Sequence, residues 1–287
     1  MWTQIETHIS QITNNEFEIL QKKSVSGGSI NESYAVSDGQ YTYFVKLNQA
    51  SQIDMFQAEA LGLQQIFDTA TIRVPKALCS GIAENSCYLV LEWLEMGRGN
   101  AKSWEIMGRK LAAMHKVTNK KGFGWYVNNT IGSTPQVNTL TANWAEFYTQ
   151  HRMKFQLRRA KSKGGRFPQA EELLAAIPEL LAGHKPQPSL VHGDLWGGNA
   201  GFTVERQPVI FDPAIYYGDR EVDIAMTELF GGFPPEFYRG YSEVFPLNSG
   251  YDFRKTLYNL YHVVNHFNLF GSSYEFQANQ MISQLLR

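Results

Sequence analysis

Val191-His192-Gly193-Asp194-Leu195-Trp196-Gly197-Gly198-Asn199 is the stretch on which the reading of this chain turns. It is a Gly/Asn-rich segment between two short apolar runs, Leu190-Val191 before it and Val209-Ile210-Phe211 after it. Within it an acid, Asp194, is followed five positions later by an amide, Asn199, and a second acid, Asp212, ends the later apolar run eighteen residues on. Each residue alone has an ordinary explanation. Asp212-Pro213 can start a turn, and His192-Gly193-Asp194 can be a plain loop. Order and spacing together carry the argument.

The acid-to-amide interval is that of the kinase catalytic loop, where an Asp receives the proton of the substrate hydroxyl and an Asn ligates magnesium. A carboxylate at Asp212 could then hold Mg²⁺ between the β- and γ-phosphates of ATP. Upstream, the pattern is what a nucleotide-binding lobe needs. Phe17 to Leu47 has strand-like periodicity: a run ending near Val25, the turn-rich Ser26-Gly27-Gly28-Ser29, a strand from Ser33 to Val36, an Asp38-Gly39 hairpin and a third strand ending at Lys46. Glycines let backbone N–H groups approach phosphate closely, and a lysine on the third strand can reach the α/β-phosphates. Gln52 to Phe67 reads as a helix with Glu59 at the margin of its apolar stripe, where a carboxylate wants a cationic partner. Lys46 is the natural one. Gly27-Gly28 alone would be read as a hairpin turn and Lys46 alone as a surface lysine; with all five elements in register, coincidence is the poorer explanation.

These residues resemble the fructosamine kinase (ketosamine-3-kinase) family, relatives of the aminoglycoside and choline phosphotransferases within the protein-kinase-like fold. The Trp-Gly-Gly insert of the catalytic loop is more specific than the His-x-Gly-Asp of small-molecule kinases at large. Asn129-Thr130-Ile131-Gly132-Ser133-Thr134-Pro135-Gln136 with Asn138, and Asp212-Pro213-Ala214 with Tyr217-Gly218, agree as well. The resemblance implies a two-lobed α/β (α+β) enzyme, with a five-stranded antiparallel N-lobe over 1–94 and a mainly helical C-lobe over 95–287. It implies Asp194 as catalytic base, Asn199 and Asp212 as metal ligands, Lys46 with Glu59 as the phosphate-holding pair, Gly27, Gly28 and Ser29 as the glycine loop, and Glu92, Trp93 and Leu94 as the adenine-contacting hinge. The implied cofactors are ATP and Mg²⁺. The implied acceptor is the 3-hydroxyl of a fructosamine or ribulosamine, on a free or protein-bound amine, in a deglycation repair reaction. Two departures stand out: Ser29 replaces the cysteine that many members carry in the glycine loop, so redox control through that thiol is not available, and Asn128 stands where an aspartate is expected. Two other readings stay open on the residues themselves, a kinase of another hydroxylated amine (aminoglycoside- or choline-like) and a non-catalytic kinase-like module.

The rest of the 287-residue chain fits such an enzyme. A charged fraction of 18%, below the roughly 25% of an average soluble protein, with 43% hydrophobic residues argues for a sizeable core and against disorder. A formal net charge of -1 lacks the positive bias that nucleic acid or an anionic membrane would need. No basic-apolar leader and no run of 18 apolar residues is present, so a cytoplasmic protein is expected. Cys79 and Cys87 read as reduced core residues. Trp2, Ile5, Ile9 and Ile12 predict a short amphipathic helix; Trp104 to Met114 and Trp144 to Phe155 predict two more. Gly122 to Asn138 reads as one long loop, and Glu92 to Asn100 as a hinge. From Asp223 onward the pattern is helical, broken at Pro234-Pro235 and Ser249-Gly250. Glu221 reads as an acid suited to a helix start, Asp223 as a brace of the catalytic loop, His115 and His151 as packing histidines, and His192 as a residue that orders the loop. The basic run Lys154 to Arg166 reads as a solvated helix end.

Aromatic residues make up 13% of the chain. Four of them flank the motifs or lie in the long loop, and these are the candidates to contact a sugar: Trp196, Tyr216, Tyr217 and Trp125. An indole beside the base can pack on a sugar's apolar face, or it can wedge the loop into the core.

Overall fold

The computed structural model describes residues 1–26 and 30–287. In chain order it runs α1 (Trp2–Thr13), β1 (Gln21–Ser24), β2 (Glu32–Ser37), β3 (Thr42–Gln49), α2 (Ile53–Asp68), β4 (Ala77–Ala83), β5 (Ser86–Glu92), β6 (Met96–Gly97), α3 (Ala101–His115), β7 (Asn129–Ile131), β8 (Thr134–Gln136), α4 (Trp144–Phe147), a π-helical turn (Tyr148–Met153), α5 (Lys154–Ser162), α6 (Ala170–Leu180), β9 (Ser189–Val191), β10 (Ala200–Thr203), β11 (Pro208–Ile210), β12 (Tyr216–Gly218), α7 (Glu221–Leu229), α8 (Pro235–Val244), α9 (Tyr251–Phe270) and α10 (Glu275–Leu285). Two compact units result. The first comprises Met1–Ser103 and Gly198–Pro213, the second Trp104–Gly197 and Ala214–Arg287. The sequence division after Leu94 is a single cut, whereas the first unit continues to Ser103 and takes in a second segment. β6 explains this: Gly97 pairs with Phe202 and Met96 with Thr203, so β10, itself paired with β11, forms a small sheet with the end of the N-terminal segment.

The first unit is built on the expected five-stranded antiparallel sheet, in the order β1-β2-β3-β5-β4. Successive side chains of a strand face opposite ways, and this sorts the sheet into two functions. Val45 and Leu47 of β3, with Val36, Tyr88 and Val90, join Ile5, Ile9 and Phe17 in a core under α1, the amphipathic helix predicted at the N-terminus. Lys46, between Val45 and Leu47, belongs to the other face. The Asp38-Gly39 turn closes β2 onto β3, with Asp38 Oδ1 accepting from the Gln40 and Tyr41 N–H groups and Gly39 at φ +90°.

The second unit is helical, and its breaks fall where proline and glycine predict: α8 begins at Pro235, and α9 follows Gly250. Two features differ from expectation. Inside the supposed long loop lies a hairpin, β7 with β8, closed by the two residues Gly132 and Ser133 with Gly132 at φ +59°. Its strands hold only Ile131 and Pro135 as apolar residues, so no alternation of apolar residues marks them. Glu221 does begin α7, but it is fully buried and forks onto Arg254, with Nε to Oε2 at 2.7 Å and Nη2 to Oε1 at 2.8 Å. An ion pair, and not the helix dipole alone, holds it.

His262 of α9 is buried, and its Nδ1 has no partner among the described residues. Burial, reinforced by the neighbouring His266, pushes it from its ordinary 6.5 down to about 3. The folded chain thus rejects a proton that the unfolded chain takes up, so stability is complete above pH 6.5 and declines as pH falls from there toward 3. The slope reaches about 1.4 kcal/mol per pH unit for one such proton. Urea titrations of His262→Leu should show a flatter pH dependence than wild type across that window.

Candidate active site

In the first unit the site starts from one buried ammonium. Lys46, on the face of β3 away from the α1 core, meets Glu59 of α2 (Nζ to Oε1 2.6 Å) and Asp212 (Nζ to Oδ1 2.6 Å). Burial favours the neutral amine, but the two carboxylates outweigh it and raise the pKa, so Lys46 is an ammonium. Burial likewise raises Glu59, against the pull of Lys46. The Lys46–Glu59 partnership inferred from spacing is therefore present, and Asp212 shares it. Asp212 follows β11 in the left-handed region, at φ +56°. The Phe211 N–H donates to the Asn199 carbonyl at 3.1 Å, tying the two predicted metal ligands into one short stretch of structure.

Lys46, Asn199 and Asp212 line a cavity of about 550 Å³ within this unit. Its apolar walls include Phe44, Leu91 and Phe211, and Glu92, Trp93 and Leu94 complete its rim. The Glu92 carboxylate is committed elsewhere: Oε1 accepts from Arg73 Nη2 at 2.6 Å, and Oε2 from the Lys76 N–H. Any contact of this segment with a base is left to backbone, to Leu94 and to Trp93, which stacks on Phe44 at 6.4 Å between ring centroids. Gly27, Gly28 and Ser29 lie outside the described residues, although Val25, Ser26 and Asn31 on either side of them line the cavity.

In the second unit the segment bearing Asp194 leaves β9, which pairs with β12 so that Val191 faces Tyr216. Asp223 of α7 braces it: Oδ2 accepts the His192 N–H at 2.6 Å and Oδ1 the Gly193 N–H at 2.8 Å. His115 bonds the same carboxylate through Nε2 at 3.0 Å. Burial opposes the charge on Asp223, but the hydrogen bond from His115 together with the His192 backbone N–H and the electrostatics of both residues outweigh it and hold the acid below its usual range. His115 is thus a core histidine with a specific duty. His192 orders the loop, its Nδ1 accepting from the Asp194 N–H at 3.3 Å, which leaves the proton on Nε2. Gly193 sits at φ +82° and a Cβ there would lie 2.2 Å from the Ala214 carbonyl oxygen, so only glycine fits.

The four candidate sugar-contacting aromatics divide. Trp196 is 40% exposed, and Tyr217 is half-buried. It is Leu195, 1% exposed, that wedges the loop into the core. Tyr216 and Trp125 are corrections to the sequence reading. Tyr216 is buried, stacked on Phe147 at 5.7 Å with the Arg152 guanidinium 4.0 Å from its ring centre, and Trp125 is buried against Tyr126. Neither has surface to offer a ligand. Arg152 is the residue that the sequence reading missed. It is fully buried, yet it lies two residues before a basic run, where an arginine reads as exposed.

Comparison with known proteins follows the same lines. The sequence profile of the fructosamine kinase family matches residues 1–287. A protein of Synechocystis sp. (strain PCC 6803) named probable ketoamine kinase is 54% identical over all of this chain and 97% of its own length. The chloroplastic protein-ribulosamine 3-kinase of Arabidopsis thaliana is 40% identical over 94% of this chain and 84% of its own. A crystal structure from Haemophilus somnus 129PT, provisionally described as a fructosamine-3-kinase, superposes with a TM-score of 0.94 at 32% identity, covering 100% of this chain and 98% of the other. The aminoglycoside phosphotransferase APH(4)-Ia shares the fold alone, with a TM-score of 0.65 at 15% identity. This chain, which the family profile matches from end to end and which is 54% identical to one of its members, belongs to the fructosamine kinase family.

Proposed function

We propose that the protein transfers the γ-phosphoryl group of ATP to the 3-hydroxyl of a ketosamine, a fructosamine or ribulosamine adduct of an amine. The observation that carries the reading is the Lys46–Glu59–Asp212 ion set on a cavity that Asn199 also lines, in a chain whose relatives are named for ketoamine and ribulosamine phosphorylation.

Phosphoryl transfer asks a protein mainly for positioning and charge neutralisation. Lys46 would hold the α/β-phosphates, with Glu59 keeping its ammonium in place. Asn199 and Asp212 fit a magnesium ion by donor chemistry, since both offer hard oxygens and Lys46 takes only one oxygen of the Asp212 carboxylate. When bound, the ion would neutralise charge on the β- and γ-phosphates. Asp194 would accept the proton of the attacking hydroxyl, on a loop whose backbone Asp223 and Ala214 fix. Trp196, two residues beyond the base and part exposed, would pack against the sugar. The 3-phosphate destabilises the adduct, and its breakdown frees the amine. An intact set of Lys46, Glu59, Asp194, Asn199 and Asp212 speaks against a non-catalytic module. Among the described residues no helix is long and apolar enough to cross a membrane.

ADP release measured over ribulosamines, fructosamines, aminoglycosides and choline should occur with the ketosamines; turnover of the last two classes only would remove the assignment. Asp194→Asn should lower kcat by about 10²–10⁴-fold while leaving ATP affinity nearly unchanged, and wild-type turnover in that variant would sink the proposed base. Lys46→Met leaves two carboxylates facing each other without their cation. It should raise KM for ATP, lower kcat, and cost on the order of 3 kcal/mol of stability in chemical denaturation.

A further inference from the structure

The hairpin β7–β8 and the residues after it bury an unusual amount of amide. Asn129, Gln136 and Asn138 are 8%, 2% and 0% exposed. Buried side-chain amides must be paired, and tracing the pairs leads to one place. Gln136 Nε2 donates to the Ala214 carbonyl at 3.0 Å and to Asn129 Oδ1 at 2.9 Å, while its Oε1 accepts the Tyr261 hydroxyl at 2.8 Å. Asn129 Nδ2 donates to the next carbonyl, Ile215, at 2.9 Å. Behind them Asn138 Nδ2 donates to Asn129 Oδ1 at 2.8 Å, and Arg152 Nη2 donates to Asn138 Oδ1 at 2.7 Å.

The network has one permitted orientation. Turning the Gln136 amide over would set its oxygen against the Ala214 carbonyl and Asn129 Oδ1, and would point its NH₂ at the Tyr261 proton. Ala214 is where this rigidity becomes useful. Its N–H donates to the His192 carbonyl at 2.9 Å, and its own carbonyl oxygen is the atom that a Cβ on Gly193 would strike. The turn preceding Asp194 is therefore held from two directions: Asp223 takes its N–H groups, and the Ala214 peptide receives its carbonyl and packs on its glycine.

We infer that Gln136 is a positioning residue for phosphoryl transfer, fixing through its bond to the Ala214 carbonyl the His192–Gly193 turn that aims Asp194. The inference rests on the phosphoryl-transfer reading for its kinetic consequence, but not for its structural one. Two measurements separate them. Gln136→Met keeps the length of the side chain and removes every hydrogen bond. Its kcat should fall about 10²-fold, the scale of a small misplacement of a catalytic group, with KM for ATP within about twofold of wild type. Hydrogen exchange of the peptide spanning 191–196 should speed up by about tenfold or more, because the His192, Gly193 and Asp194 amides lose their support. Tyr261→Phe, which removes the donor to Oε1 together with a hydrogen bond to Gln156 but leaves the Gln136 bond to Ala214 in place, should move both readouts the same way by less, and it serves if the methionine variant does not fold. A lowered melting temperature with wild-type kcat, or unchanged exchange over 191–196, would overturn the assignment. If the wild-type protein turns over no ketosamine, the functional reading falls while the exchange result still decides the role of Gln136.

Discussion

A lysine ammonium closed off from water cannot stand alone, and the first unit is arranged around satisfying one. Lys46 takes an oxygen from α2 and another from Asp212, 166 residues further along the chain. Those two bonds explain much of the local architecture. β3 must alternate so that Val45 and Leu47 fill the α1 core while Lys46 turns the other way, α2 must lie where Glu59 reaches it, and residues 198–213 must fold with the N-terminal segment. The β6–β10–β11 sheet supplies backbone bonds for that last requirement; Lys46 supplies the charge.

The second unit balances its buried charges by other means. Glu221 is answered by a forked arginine, Arg254. Asp223 is answered chiefly by hydrogen-bond donors, two backbone N–H groups and His115. Arg152 makes no ion pair with a carboxylate among the described residues. It donates to the Val137 carbonyl and to Asn138 Oδ1 and lies over the faces of Tyr216 and Phe147. A guanidinium tolerates this because it is planar and weakly hydrated, whereas a lysine in its place would lose both the fork and the stacking.

What was legible in the sequence follows from these physical differences. The sheet and most helices were legible because apolar residues recur at the strand or helix period, and Lys46–Glu59 because both groups sit on elements of known phase. The aromatic candidates were only half legible: periodicity says that Tyr216 and Tyr217 face opposite ways on β12, but not which one faces the core. The β7–β8 hairpin was illegible, since strands made mostly of Asn, Thr and Gln carry no apolar alternation, and Asn129 and Gln136 owe their burial to amide pairing. Arg152, and the burial and ion pair of Glu221, were illegible for a related reason. Charge in a sequence signals exposure unless its partner is known, and Arg254 and Tyr216 are distant from these residues in the chain.

Left-handed backbone was equally hidden, and two instances of it fall in the candidate site. Gly193 and Asp212 both have positive φ, yet the two positions are solved differently. At Gly193 the close approach of the Ala214 carbonyl forbids any side chain, so the residue gives up chemistry for geometry. At Asp212 the left-handed conformation costs a non-glycine residue about 1 kcal/mol, and a glycine would relieve it. The carboxylate is retained because it answers the Lys46 ammonium; without it that cation would have Glu59 alone, in a pocket where burial already works against charge. The strain at Asp212 is thus offset by the same ion set that orders the unit, and an acid, not the turn-forming glycine, follows β11.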